Sequence, residues 1–490
     1  RRVPRRAPRR PGARGMCRAM VRARAAPRRP SAARPHARPA ASSPVRSRAL
    51  RPLPALALAA AAALALLPLR PAAAATDVQV VTSPGGITAW LVEEHSIPML
   101  AMEMQFRGGA SREPADKPGV TDFLAHMFDE GAGDLDSAAY SARADRLALR
   151  AGFSAGRDGF NVSAAMLTES RDASVDLLRL ALTEPRFDPD AMERVRNGLL
   201  SGLAGDETDP GAILGRAWRK ALFGDDPYGR EVAGTTDSIA AMTPEDLRAM
   251  RAVALNRDGL AIGVVGDITA EALGPLLDRL LGDLPDAPLP DLPRAELSAD
   301  RSLEVIPLDV PQSVATLVAE GLDRHDPDFI PAYVMNHILG GGGFTSRLTE
   351  EVREKRGLTY SVYSYLAPYD RAALIASGIS SANARIGEAI EVIKAEFARM
   401  RDGGATADEL DKAQRYLTGA YPLRFDSNGK IAGQLAGLMA DGFEPDYIEN
   451  RNAMIEAVTL DDIARVAKRL LDPAKLKVVV VGQPEGLAQN

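Results

Sequence analysis

The chain has 490 residues, 46% of them hydrophobic and 26% charged, which is long enough for two or more domains and is the composition of a soluble globular protein. Its formal net charge of -5 hides a split: residues 1–75 hold 18 Arg, no Lys and no acidic residue, and the remainder carries 42 basic against 65 acidic residues, a net charge of -23. A body this acidic disfavours nucleic acid and favours basic or neutral partners, and it serves solubility whatever the partner.

Residues 1–45, rich in Arg, Pro and Ala, read as a disordered extension or as a reading frame begun too far upstream. Residues 46–75 read as a secretory signal peptide. Arg46, Arg48 and Arg51 supply the basic start, Leu53 to Leu69 the apolar run, and PAAAAT a small-residue cleavage site near Ala74 or Ala75. The alternative for that run is a membrane anchor, for which 17 residues with two prolines is marginal. Export places the mature protein in the periplasm or outside the cell. The one cysteine, Cys17, precedes the signal, so the mature chain has no thiol for a disulfide or a thiolate metal site.

The body then alternates strand and helix patterns. Residues 87–94 and 98–106 read as strands, and the short turn between them predicts an antiparallel pair. Amphipathic helices are expected over 169–185 and 188–205. Between these strands and helices lies KPGVTDFLAHMFDEGAG (117–133), which places Asp122 and His126 one helical turn apart with Ala125 between them. A side-chain contact or a weak metal site could follow from that spacing, although two ligands without a third make a poor zinc site. His95, His325 and His337 form no cluster in sequence and read as structural.

A proline-rich stretch, 284–300, reads as a linker between halves 77–283 and 301–490. The halves look duplicated. Each ends with a threonine N-cap, an acidic capping-box residue, an amphipathic helix and a β-branched strand closing on glycine. The interval from Thr243 to Gly266 is 23 residues, as is that from Thr459 to Gly482, with Asp246 and Asp462 at the box positions. The second half also holds LGGGGFTSRLTEEVREKRGLTYSVYSYL (339–366), whose Gly341, Gly342 and Gly343 allow close backbone approach and which lacks the G-K-[ST] of a nucleotide loop. Strands followed by runs of helices indicate an α+β architecture of two related domains, each an antiparallel-rich sheet packed against helices.

These segments, with DPYGREVAGTTDSI (226–239), resemble the pitrilysin/insulinase-like zinc peptidases over nearly all of 77–490. Active members carry H-x-x-E-H on a helix, two histidines for zinc and a glutamate as general base, with a distant glutamate as third ligand. The resemblance places Asp122 at the first ligand, Ala125 at the base, His126 at the second ligand and Gly202 at the third. Ala125 and Gly202 can neither bind zinc nor move a proton, so this chain is expected to hold no metal. The glycine-rich element resembles the family's C-terminal signature, which implies that Arg353 and Tyr360 contact the substrate carbonyl and oxyanion and that Gly341–Gly343 border the substrate; Arg356 is the nearest decoy. The implied role is the non-catalytic subunit of a heterodimeric metallopeptidase. Its partner would carry H-x-x-E-H and the zinc, and the substrate would be a peptide or unfolded segment. Two alternatives stay open: a binding or assembly protein of the same fold, and an atypical self-sufficient metallopeptidase.

Overall fold

The computed structural model describes residues 77–487; the extension and signal peptide expected over 1–75 lie outside them. The first half contains strands β1 (Gln79–Thr82), β2 (Thr88–Glu93), β3 (Met99–Phe106), the short hairpin β4 (Gly131–Ala132) and β5 (Leu135–Asp136), β6 (Arg150–Ala155), β7 (Phe160–Leu167) and β8 (Ala261–Gly266). Its helices are α1 (Val120–Ala125), α2 (Ser137–Leu147), α3 (Arg171–Thr183), α4 (Pro189–Asp206), α5 (Pro210–Phe223), α6 (Thr236–Ala241), α7 (Pro244–Ala254) and α8 (Ala270–Leu281). The second half follows with β9 (Leu303–Pro307), β10 (Gln312–Glu320), α9 (Phe329–Asn336), β11 (Val362–Pro368), β12 (Ala373–Ala382), α10 (Ile386–Gly403), α11 (Ala407–Gly419), α12 (Asn428–Ala440), α13 (Tyr447–Glu456), α14 (Leu460–Leu470) and β13 (Lys477–Gly482).

The duplication is visible in the sheets. The first has the order β1-β2-β8-β3-β7-β6 and the second β11-β12-β10-β13-β9. Without β1, and with the second order reversed, the two coincide: β2, β8, β3, β7, β6 match β9, β13, β10, β12, β11. In both, the last strand of the half is parallel to the first and antiparallel to its other neighbour. Both capping boxes close. Thr243 Oγ1 accepts from the Asp246 amide while Asp246 accepts from the Thr243 amide at 2.9 Å, and Thr459 and Asp462 repeat the exchange at the same 2.9 Å.

One pairing differs from the expectation. The strands over 88–93 and 99–106 run antiparallel but are not neighbours, because β8 inserts between them. The reason is burial. AIGVVG is buried at every position, so it takes a place covered on both faces, whereas β2 has two partly exposed residues at its end.

Each sheet is covered on one face by its own helices and on the other by a helix from the opposite half. On the second sheet, Leu214, Trp218 and Leu222 of α5 pack against Val318, Leu374, Val479 and Val481. On the first, Ala432, Leu435 and Leu438 of α12 pack against Trp90 and Val265. The approach of α12 is close enough to require Gly263 on β8, since a Cβ there would lie 2.1 Å from the Ala432 carbonyl oxygen. Residues 285–300 contain no regular helix or strand, yet Leu297 packs beside α5 and the Ala295 amide donates to the Arg371 carbonyl at 2.8 Å. The two halves are therefore clasped reciprocally.

The DPYGR segment belongs to this clasp as well as to the loops of the first half. Tyr228, fully buried, donates its hydroxyl to Asp158 in the β6–β7 turn and accepts from the Arg371 amide in the β11–β12 turn at 2.9 Å. The Arg371 guanidinium bonds both carboxylate oxygens of Asp226, at 3.0 and 2.6 Å. Burial, with Asp158 alongside, raises the Tyr228 hydroxyl above the ordinary tyrosine range.

Candidate functional site

The degenerate motif sits on α1, whose entry is built by Gly119 at φ 87° and by a side chain that carries no periodic signature. Buried Glu113 accepts from the Gly119 amide at 2.9 Å and from the Thr121 amide at 2.8 Å, supplying acceptors to donors that a helix start leaves open. Burial raises the Glu113 carboxyl even against those two donors. Phe123 and Leu124 fill the core, and the Arg196 guanidinium of α4 covers the Phe123 ring at 5.3 Å, tying α4 to α1.

Position by position, the residues at the family's ligand positions do not make up a tetrahedral zinc set. Asp122 is partly buried, and burial raises its carboxyl. Ala125 is packed in the core. His126, the C-cap of α1, is exposed, and its Nδ1 lies 2.9 Å from the backbone oxygen of Asp122, so the contact runs from ring to main chain and not from side chain to side chain. Gly202 on α4 is exposed, and a Cβ built there would meet nothing within 4 Å. Among the described residues no three His, Cys, Asp or Glu side chains converge on a point where a metal ion would fit. One histidine and one carboxyl do not satisfy tetrahedral zinc, so no step through zinc on this chain follows.

The internal copy shows what that open space means. In the second half the corresponding helix α9 also ends on a histidine C-cap, His337. Its partner helix α11 carries Tyr416 immediately before buried Leu417, as α4 carries Gly202 immediately before buried Leu203. Tyr416 stacks on the His337 ring with centroids 5.0 Å apart. Burial keeps the His337 imidazole below the usual histidine range. Where the second half fills the gap with a ring, the first half leaves it empty beside Gly202.

The glycine-rich element is shaped by two wide turns. The Gly342 amide bonds the His337 carbonyl at 2.8 Å, and the Lys355 amide bonds the Glu350 carbonyl at 2.9 Å, each a π-type step of five residues. A Cβ at Gly342 would come within 2.7 Å of the His337 carbonyl oxygen, so the chain itself requires that glycine, and one at Gly341 would come within 2.8 Å of the Asn336 side-chain amide. Gly343, at φ 59°, borders open space. The turns bring together Arg353 and Tyr360, with a third residue absent from the sequence reading. The Arg353 guanidinium lies 4.9 Å from the Tyr360 ring centroid and 4.8 Å from that of Phe344, although Tyr360 is 84% and Phe344 74% exposed. The decoy Arg356 is spoken for, bonded to the carbonyl and carboxylate of Glu351 at 2.7 Å each. No hydrogen bond, ion pair or ring contact joins Arg353 or Tyr360 to Asp122, His126 or α4 among the described residues.

His95 and His325 have partners of their own. His95 bridges Asp267 at 2.8 Å and Glu93 at 3.1 Å, and His325 meets the Asp441 carbonyl at 2.5 Å and the Phe443 ring.

The chain matches two family models, the insulinase model of peptidase family M16 over residues 90–236 and the peptidase M16 inactive domain over 241–417. It is 27% identical to the non-peptidase homolog YmxG of Helicobacter pylori over 68% of this chain and 77% of that one. It is 25% identical to an uncharacterized zinc protease of Streptomyces coelicolor over 80% and 87% of the respective chains. A peptidase M16 inactive domain from Pseudomonas fluorescens superposes with a TM-score of 0.79 at 28% identity, covering 84% of this chain and 99% of that one. The periplasmic protease PqqL of Escherichia coli shares the fold alone, with a TM-score of 0.72 at 16% identity and 45% of its length covered.

Proposed function

The chain belongs to the M16 peptidase family, and from that premise we propose that it is the non-hydrolytic subunit of a two-chain peptidase, supplying Arg353 and Tyr360 to a zinc site carried by its partner. The observation that supports this most is the asymmetry of loss. Asp122, Ala125 and Gly202 replace two ligands and the base, whereas a partly buried Arg353 and an exposed Tyr360 stand together, with no competing partners among the described residues other than Glu354 and Phe344. A scaffold that had merely decayed would have no reason to keep two aromatic rings in water around a cation.

The division of chemistry follows from the groups. The partner would bring zinc, the activated water and the general base. Arg353, permanently charged, and Tyr360, a neutral O–H donor, would stabilise negative charge as it grows on the carbonyl oxygen of the cut bond. The peptide would lie extended against β6, the edge strand of the first sheet beside α1, whose outer backbone groups are open to strand addition. Export to the periplasm by the signal peptide is part of the same proposal. Among the described residues no helix is long and apolar enough to cross a membrane.

The Helicobacter pylori relative, a non-peptidase homolog, favours a second reading in which the fold only binds or assembles. Co-expression with an H-x-x-E-H subunit of the same family separates the two. Peptide hydrolysis that requires both chains supports shared chemistry, and a partner equally active alone supports assembly.

A further inference from the structure

Arg353 carries donors that nothing in the described structure uses. Its Nε lies 3.3 Å from Glu354 Oε1, and its two terminal amino groups make no hydrogen bond among the described residues. Phe344 and Tyr360 flank the guanidinium at 4.8 and 4.9 Å, so aromatic surface surrounds it while the terminal N–H edge stays open. Neighbouring charges are already engaged with one another, Lys355 with Glu350 at 2.9 Å and Arg356 with Glu351 at 2.7 Å. Open space beside Gly343 leaves an approach for a chain next to Phe344.

A paired N–H edge matches two oxygens better than one. An amide carbonyl offers a single neutral oxygen, whereas a carboxylate offers two charged ones in the plane of the fork. The exposed ring of Phe344 is the apolar surface that a side chain next to such a carboxylate would cover.

We propose that Phe344, Arg353 and Tyr360 form a receptor for the C-terminal carboxylate of a peptide, with Phe344 selecting an apolar last residue. This rests on the peptide-facing placement of Arg353 and Tyr360 given above and adds a ligand class to it. Every peptide-bond cut generates such a carboxylate on the N-terminal fragment, so the receptor holds that product, or a chain to be trimmed from its end.

The test uses the full chain without a partner. The probes are N-terminally labelled octapeptides of Gly and Ser ending in Phe, as the free acid and as the C-terminal amide, and a third free acid ending in Gly, all titrated by fluorescence anisotropy. The Phe-ending acid is expected to bind at least about tenfold more tightly than its amide. Arg353→Gln abolishes that preference. Arg353→Lys, which keeps the charge and loses the fork, removes most of it. Phe344→Ala weakens the Phe-ending acid about fivefold or more and leaves the Gly-ending acid unchanged. Equal binding of acid and amide, a preference that survives Arg353→Gln, or no measurable binding of any probe overturns the proposal. If acid and amide bind equally while Arg353→Ala still slows hydrolysis by the reconstituted pair, this inference fails and the shared-site function stands. If the acid preference holds while hydrolysis is untouched, the function reading fails instead.

Discussion

Tyr360 lies seven residues beyond Arg353, and its ring centroid is 4.9 Å from the Arg353 guanidinium carbon. The wide turn at Glu350–Lys355 and the loop to β11 create this meeting, which puts a partly buried fixed cation beside an exposed phenol. Nothing in the packing of the second half needs it, since its core is complete without either side chain.

The empty space at Gly202 predicts that metal binding can be restored from few changes. Asp122→His with Gly202→Glu would add an imidazole and a carboxylate to His126, three protein ligands in all. The expected result is about one zinc per chain by metal analysis, against none in the parent. A double variant that folds and stays zinc-free would show that α1 and α4 are not aligned as described.

Glu103 on β3 gives the clearest pH dependence. It lies on the face of the first sheet covered by α12, 3.9 Å from a Cβ built at Gly433, and burial pushes its carboxyl up to about 7. The one charged residue of α12, Lys430, is bonded to Asp426 at 2.7 Å. A carboxyl raised on folding favours the folded state fully below its unfolded value near 4.5, and that stability is lost as pH rises towards 7. Glu103→Gln is expected to stabilise the protein by about 1–2 kcal/mol at pH 8, after allowance for partial exposure, and by little at pH 4.5. Urea unfolding at both values checks this, and an equal effect at the two would contradict the burial argument.

Tyr228 joins the halves, so Tyr228→Phe should loosen them. It removes the donor to Asp158 and the acceptor for the Arg371 amide, leaving buried polar groups unpaired. The expected cost is about 2–3 kcal/mol. The measurement is thermal unfolding, with a lowered or split transition as the predicted outcome. An unchanged melt would mean that the reciprocal packing of α5 and α12 holds the halves without this bolt.

What the sequence made legible follows the range of the forces involved. The capping boxes at Thr243 and Thr459 and the β-branched strands closing on Gly266 and Gly482 are local, and they identified the duplication. The insertion of β8 between β2 and β3 is a choice among long-range pairings that only burial decides. The crossing of α5 and α12 is likewise non-local, although the nearly uncharged run of α12, NGKIAGQLAGLMA, marks a helix covered on more than one side. At the site, Asp122, Ala125, His126, Gly202, Arg353 and Tyr360 came from motif register. Phe344 and Glu113 did not, because an aromatic after a glycine run and an acid seven residues before a helix have no periodic signature. The Asp122–His126 contact expected on this helix runs from the ring to the Asp122 carbonyl.

The most direct test of the account is the turnover number of a reconstituted pair, this chain with an H-x-x-E-H subunit of the same family, measured with the parent chain and with Arg353→Ala/Tyr360→Phe at equal complex concentration. The turnover number is expected to fall about 100-fold or more with the complex still assembled, the size expected for lost oxyanion donors. An assembled pair that hydrolyses peptide at the parental rate would contradict it.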